Sequence, residues 1–109
     1  MTENETSPEV VPQPDENRYS LQVDGREVGY AGYTDIDGQR VFWHTVVDPA
    51  EGGKGYGSTL IAGALTHVRD QGLRAVGVCP FVDAYVKKHH DFDDIVDPVS
   101  IELRARLEG

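Results

Sequence analysis

Cysteine, methionine and tryptophan are nearly missing from this chain: one of each among 109 residues. A single cysteine excludes an intramolecular disulfide and any cysteine-rich zinc site. Long hydrophobic runs are missing too. No apolar stretch approaches the roughly 20 residues of a membrane span, so no membrane partner is expected. No basic segment followed by an apolar one opens the chain, so no secretory signal is expected and a cytoplasmic protein is the simplest expectation. Positive charge is scarce, with 10 Lys and Arg against 19 Asp and Glu, a net charge of −9. That balance argues against nucleic-acid binding. No internal repeat is visible.

What is present suits one small globular domain: 39% of the residues are hydrophobic. Part of the acidity is local. Residues 1–17 hold five acids (Glu3, Glu5, Glu9, Asp15, Glu16), no basic residue and three prolines. They read as a disordered acidic tail before a compact domain over 18–109. Two Asp-Gly pairs, Asp24-Gly25 and Asp37-Gly38, separate apolar runs and suit tight hairpin turns. Around them "RYSLQV", "REVGYAGYTD" and "RVFWHTVV" read as a three-stranded antiparallel meander. The third strand has bulk on both faces, with Val41, Trp43, Thr45 and Val47 on one and Phe42, His44 and Val46 on the other. It is therefore expected to be central and covered on both sides.

A helix follows, burying Leu60, Ile61, Ala64, Leu65 and Val68 as one stripe and stopping at Gly72. "LRAVGVC" reads as a buried strand parallel to the third. Pro80 then suits the first turn of a second helix over 80–89. "DFDDIVDP" is acidic and reads as irregular. "VSIELRARLEG" alternates like a strand but is rich in helix formers, which favours a terminal helix. The fold class is thus α/β (α+β): a mixed sheet with an antiparallel meander, a parallel strand–helix–strand unit and a C-terminal helix.

"DPAEGGKGYGSTLIAGAL" crowds Gly52, Gly53, Gly55 and Gly57 in front of the first helix. Glycines at a helix N-terminus beyond the end of a parallel strand let an anion reach backbone N–H groups, which suggests a phosphate. A flexible surface turn is the plain alternative. Two familiar loops do not fit. Lys54 is followed by Gly55 rather than Ser or Thr, which excludes a Walker loop. Counting G-x-G-x-x-G from Gly53 or from Gly55 ends on Ser58 or Leu60, which excludes the dinucleotide fingerprint.

"VVDPAEGGKGYGSTL" resembles motif A of the GNAT superfamily of acetyl-CoA-dependent N-acetyltransferases. In that motif a strand ends in Val-x-Pro, and a loop of the form Gln/Arg-x-x-Gly-x-Gly/Ala cradles the CoA pyrophosphate. Gly55 and Gly57 match the two small positions, and Gly52 departs from the usual Gln or Arg. "FWHTVV" with "CPFVDAYVKKH" is similar to the small, single-domain group of uncharacterised acetyltransferases in that superfamily. The resemblance covers about residues 18–94. It implies a GNAT-like fold, acetyl-CoA or CoA as co-substrate, and an unidentified amine acceptor attacking directly in a ternary complex. It implies that backbone N–H groups near Val46 and Val47 hold the acetyl and pantetheine. Gly52, Gly53, Lys54, Gly55, Tyr56, Gly57 and Ser58 then face the pyrophosphate, Lys54 adding positive charge. Tyr85 falls where many GNAT enzymes carry a tyrosine facing the CoA sulfur, as acid for the departing thiolate.

Other residues carry chemistry of their own type. An imidazole suits a general base near neutral pH, so His44 is a candidate on the strand expected to face the acetyl group; a hydrogen-bonded core histidine is the alternative. Cys79, just before Pro80, suits a helix N-cap, where a thiolate is favoured; it could accept an acetyl group, touch CoA or simply pack. His89 and His90 adjoin Asp91, Asp93 and Asp94, but adjacent helix residues point apart and no metal site is expected. His67 reads as helix surface. Two further functions stay open: a CoA-binding sensor without catalysis, and an interaction module whose loop binds any phosphate or none.

Overall fold

The computed structural model describes residues 8–48 and 55–108. A six-stranded sheet in the order β1-β2-β3-β4-β5-β6 forms the body. Strands β2 (Arg18–Val23), β3 (Arg26–Ile36) and β4 (Gln39–Val47) are the expected antiparallel meander. Both Asp-Gly pairs turn with positive φ at the two central residues, Asp24 at 56° and Gly25 at 76°, Asp37 at 53° and Gly38 at 82°. That is the type I′ geometry whose twist matches the strands it joins. Helix α1 (Tyr56–Asp70) then crosses to β5 (Arg74–Gly77), which runs parallel to β4. Helix α2 (Pro80–Lys88) follows, then the two-residue strand β6 (Val96–Asp97), parallel to β5, and α3 (Ile101–Glu108).

The stripe expected on α1 is buried in full: Leu60, Ile61, Ala64, Leu65 and Val68 face Tyr19, Leu21, Val28, Ala31 and Phe42 from the sheet. A smaller cluster on the opposite sheet face, Val41, Val76 and Leu103, seats α3. Ser100 Oγ accepts the Leu103 N–H at 3.0 Å, an N-cap bond that resolves the strand–helix ambiguity of this segment. No helix among the described residues is long and apolar enough to cross a membrane.

Three expectations need correction. The acidic N-terminal segment is not wholly a tail: Glu9–Gln13 forms β1 (Met1 to Ser7 lie outside the described residues), antiparallel to β2. Val10 packs so closely on Gly63 of α1 that a Cβ there would lie 2.5 Å from it. Charge and proline disfavour a central strand, but β1 is an edge strand, where Pro12 costs no ladder bond on its free side. The acidic "DFDDIVDP" includes β6, with Arg74 holding Asp97 at 2.6 Å across the β5–β6 step. His67 is half-buried, its Nδ1 2.8 Å from the Tyr19 hydroxyl, because Arg40 donates to that hydroxyl from the other side, also at 2.8 Å.

Candidate functional site

The site begins where β4 and β5 part. They pair only from Gln39↔Arg74 to Phe42↔Gly77. The Phe42 carbonyl then accepts two N–H groups, from Val78 at 3.0 Å and Cys79 at 2.9 Å, and closes the ladder. Pro80 supplies no N–H and turns the chain into α2. Strand β4 continues for five more residues without a partner on that side among the described residues. Here the backbone is available. Asp48 N–H bonds the Val28 carbonyl on β3 at 2.7 Å. By strand alternation Val46 turns its N–H and C=O to β3 as well, while Thr45 and Val47 turn theirs to the gap. Of Val46 and Val47, near which the expected backbone donors lie, Val47 turns its N–H to the gap and Val46 turns its N–H to β3.

A bulge makes this possible. Tyr33 pairs with Phe42 and Gly32 with His44, so Trp43 is an extra residue on β4. The bulge also corrects the expected faces. Phe42, Thr45 and Val47 share the helix-covered face, and Val41, His44 and Val46 share the other. Coverage on both sides holds only for the first half of the strand. Trp43 is 53% exposed and Val46 37%.

Three functional candidates lie on the helix-covered side of the sheet. Cys79 is buried, and its thiol donates to Thr45 Oγ1 at 3.4 Å. It does occupy the N-cap position of α2, but its sulfur makes no capping bond and aims across the gap at Thr45. Tyr85, half-buried on α2, packs against the main core and lies 4.5 Å from the His89 ring, centroid to centroid. Burial first, and Asp91 second, push its phenol above the ordinary tyrosine range, so it holds its proton. Gly55 opens α1 with φ of 73°, a left-handed position that favours glycine, and among the described residues no side chain caps the helix. Its first turn carries no acidic residue. An uncapped, acid-free helix N-terminus fits an anion such as pyrophosphate. Gly52, Gly53 and Lys54 lie outside the described residues.

A cleft of about 200 Å³ lies between the first turn of α1 and α2, lined by Ser58, Phe81, Tyr85, Lys88 and His89. Phe81, which motif reading missed, explains part of the glycine pattern: a Cβ on Gly57 would lie 2.1 Å from its ring. Thr45 was missed as well; only the bulge turns it toward Cys79, and no local pattern marks it. Tyr56 and Ser58 sit in the first turn of α1 as expected. His44 stands apart from the other catalytic candidates. It is exposed on the opposite sheet face, its ring stacked 5.2 Å from Trp43 and 5.8 Å from Tyr30. It is therefore not a hydrogen-bonded core histidine.

A wider groove, about 730 Å³, lies between α2 and β6. Within it Lys87 pairs with Asp83 at 2.9 Å, and His90 Nδ1 lies 3.0 Å from an Asp93 carboxylate oxygen. Among the described residues, no three His, Cys, Asp or Glu groups converge as a metal site would need.

The motif resemblance implied a strand followed by a glycine loop that opens a helix; the parting of β4 from β5 at a bulge was not foreseen, and a family model matches the chain. Residues 18–95 fit the model described as GCN5-related N-acetyl-transferase. The chain belongs to this family. Among solved structures, a GCN5-like protein of Staphylococcus aureus, described as a candidate N-acetyltransferase, aligns with TM-score 0.65 and 21% identity over 85% of this chain and 91% of its own. The ribosomal-protein-S18-alanine N-acetyltransferase of Escherichia coli aligns with TM-score 0.49 and 18% identity over 52% of this chain and 37% of its own. The aminoglycoside N-acetyltransferase AAC(6')-Iy, solved with CoA, aligns with TM-score 0.46 and 19% identity over 69% of this chain and 57% of its own. The GNAT chain thus spans a third to three fifths of these two larger proteins but nearly all of the staphylococcal one. No curated protein matches it.

Proposed function

We propose that this GNAT domain is an acetyl-CoA-dependent N-acetyltransferase that moves the acetyl group directly to an amine. One observation carries the reading: in a chain of this family, β4 leaves β5 at Phe42 and turns the Thr45 and Val47 backbone to the gap, beside a helix that Gly55 opens with no side-chain cap among the described residues. Acetyl-CoA is the co-substrate and supplies the activated thioester. Thr45 and Val47 orient the pantetheine and acetyl through strand-like hydrogen bonds. Gly55, Tyr56, Gly57 and Ser58 meet the pyrophosphate at the start of α1, with Gly52, Gly53 and Lys54 completing the loop.

The acceptor nitrogen must be neutral to attack the thioester carbon. His44 stands on the open face, where it can take the proton of an incoming ammonium. The carbon–sulfur bond breaks as the amide forms, and the thiolate that leaves takes a proton. Tyr85, a protonated phenol that burial makes reluctant to ionise, is the group to share a proton with it in a hydrogen bond. Cys79 has a packing role: it is buried and bonded to Thr45.

Calorimetric titration with acetyl-CoA, CoA and inorganic phosphate tests the reading. Preference for CoA over phosphate is expected, and equal weak binding of both returns the loop to a generic anion site. Steady CoA release with a panel of amines is the second expected result. CoA binding with no turnover on any amine would make the domain a sensor.

A further inference from the structure

The sheet face opposite α1 carries an array of which the roles above use only His44. From β2 to β4 it runs Arg18, Tyr30, His44, Trp43. The Arg18 guanidinium lies 4.9 Å from the Tyr30 ring centroid, and the Tyr30, His44 and Trp43 rings follow at 5.8 and 5.2 Å spacings. Gly32 is the floor: a Cβ there would lie 3.7 Å from the Trp43 ring, so the indole lies flat on the sheet. The rings bound a hollow of about 510 Å³ with Glu16 at its rim. Arg18 faces two carboxylates, Glu27 at 3.1 Å and Glu16 at 3.4 Å, so the one cation lining the hollow is matched.

Resting on the transferase reading, we propose that this hollow is the acceptor dock and that it takes an alkyl diamine or polyamine. One nitrogen is acetylated. A second, still an ammonium, sits on the Trp43 face. Three observations point this way. β4 loses its β5 partner just after Phe42, and the next two residues, Trp43 and His44, line the hollow, so an acceptor held there lies beside the start of the gap on the face opposite the helices. Aromatic faces attract cations, and Tyr30 already seats one. The attacking amine must be neutral, so a seat that favours positive charge serves a different nitrogen of the same molecule. The hollow has the volume of a small-molecule site rather than of a protein interface.

Trp43 is the chain's one tryptophan, so its fluorescence reads this face alone. Titration with 1,4-diaminobutane and with butylamine, at matched ionic strength, tests the dock without turnover. Saturable quenching is expected, with roughly 10-fold tighter binding of the diamine. In turnover with acetyl-CoA the kcat/KM ratio of diamine to butylamine should also be about 10. It should fall toward one in Trp43→Leu and partly recover in Trp43→Phe. Equal responses to both amines, with CoA still bound, overturn the dock and leave the transferase reading standing. Failure to bind CoA overturns the transferase reading and with it the dock as an acceptor site.

Discussion

The two halves of β4 are one strand with two physical environments. Gln39–Phe42 is hydrogen-bonded to strands on both edges, and Val41 and Phe42 are buried on opposite faces. Trp43–Val47 keeps β3 but loses β5, and Trp43 and Val46 are exposed. One bulged residue separates them. The first half spends its backbone and side chains on stability. The second leaves backbone groups, a thiol contact and aromatic faces for something else. A site of this kind needs both: the rigid half holds the register, and the unpaired half is rigid enough to be selective without being filled.

The sharpest way to break the comparison is to truncate each half. Phe42→Ala should cost about 3–5 kcal/mol, because the ring is fully buried between α1 and the sheet. Val46→Ala, on the open half, should cost less than about 1 kcal/mol. Urea unfolding of both variants measures the difference, and similar losses would mean that the open half is load-carrying after all.

A second test is functional. Tyr85→Phe keeps the ring and removes the proton. Turnover should fall about 10- to 1000-fold with little change in acetyl-CoA affinity. An unchanged maximal rate, measured where chemistry limits, leaves Tyr85 a packing residue.

The third asks why Gly57 is small. Gly57→Ala drives a methyl into the Phe81 ring. If only Phe81 needed the space, Phe81→Ala would rescue it. If the ligand itself approaches there, CoA affinity should stay down about 10-fold or more in the double variant. We expect the second result, and calorimetric titration of the two single variants and the double one decides.

A smaller effect separates the two sides of the gap. Cys79→Ala removes the Thr45 contact and should cost about 1 kcal/mol while turnover persists. An acetylated Cys79 that forms from acetyl-CoA alone, and discharges to amine at the rate of steady turnover, would overturn direct transfer.

The smallest effect concerns pH. Burial raises the Tyr19 phenol above its ordinary range, against the pull of the Arg40 guanidinium. The raised value favours the folded state fully below about pH 10, where the unfolded tyrosine also keeps its proton, and that stability is lost as pH rises above it. Tyr19→Phe should flatten the alkaline fall in stability by up to about one proton's worth of slope, read from urea midpoints at several pH values.

Much of this molecule was legible in its residues. Alternation marked β2 to β4, and Asp-Gly marked both hairpins. The Leu60 to Val68 stripe marked α1, and Pro80 marked the start of α2. The family followed from the glycines before α1 together with "FWHTVV" and "CPFVDAYVKKH", and the same glycines mark the anion site proposed above. These signals are local, since turn chemistry, hydrophobic period and helix termini act over a few residues. β1 and β6 were not legible. Each is held by a distant partner, β1 by β2 and Gly63, β6 by β5 and the Arg74–Asp97 pair.

By itself, then, the sequence determined β2 to β5 and the three helices, and where a phosphate could meet the backbone. Only the tertiary structure decided what each residue of β4 faces. The period-two pattern of "VFWHTVV" assigns faces correctly until one residue is inserted, and then every assignment beyond it inverts. A bulge is a property of a strand pair, created where Gly32 and Tyr33 take up His44 and Phe42 and pass over Trp43. For that reason the thiol contact at Thr45, the free edge at Val47 and the aromatic face at His44 became visible only when the partner strands were in place.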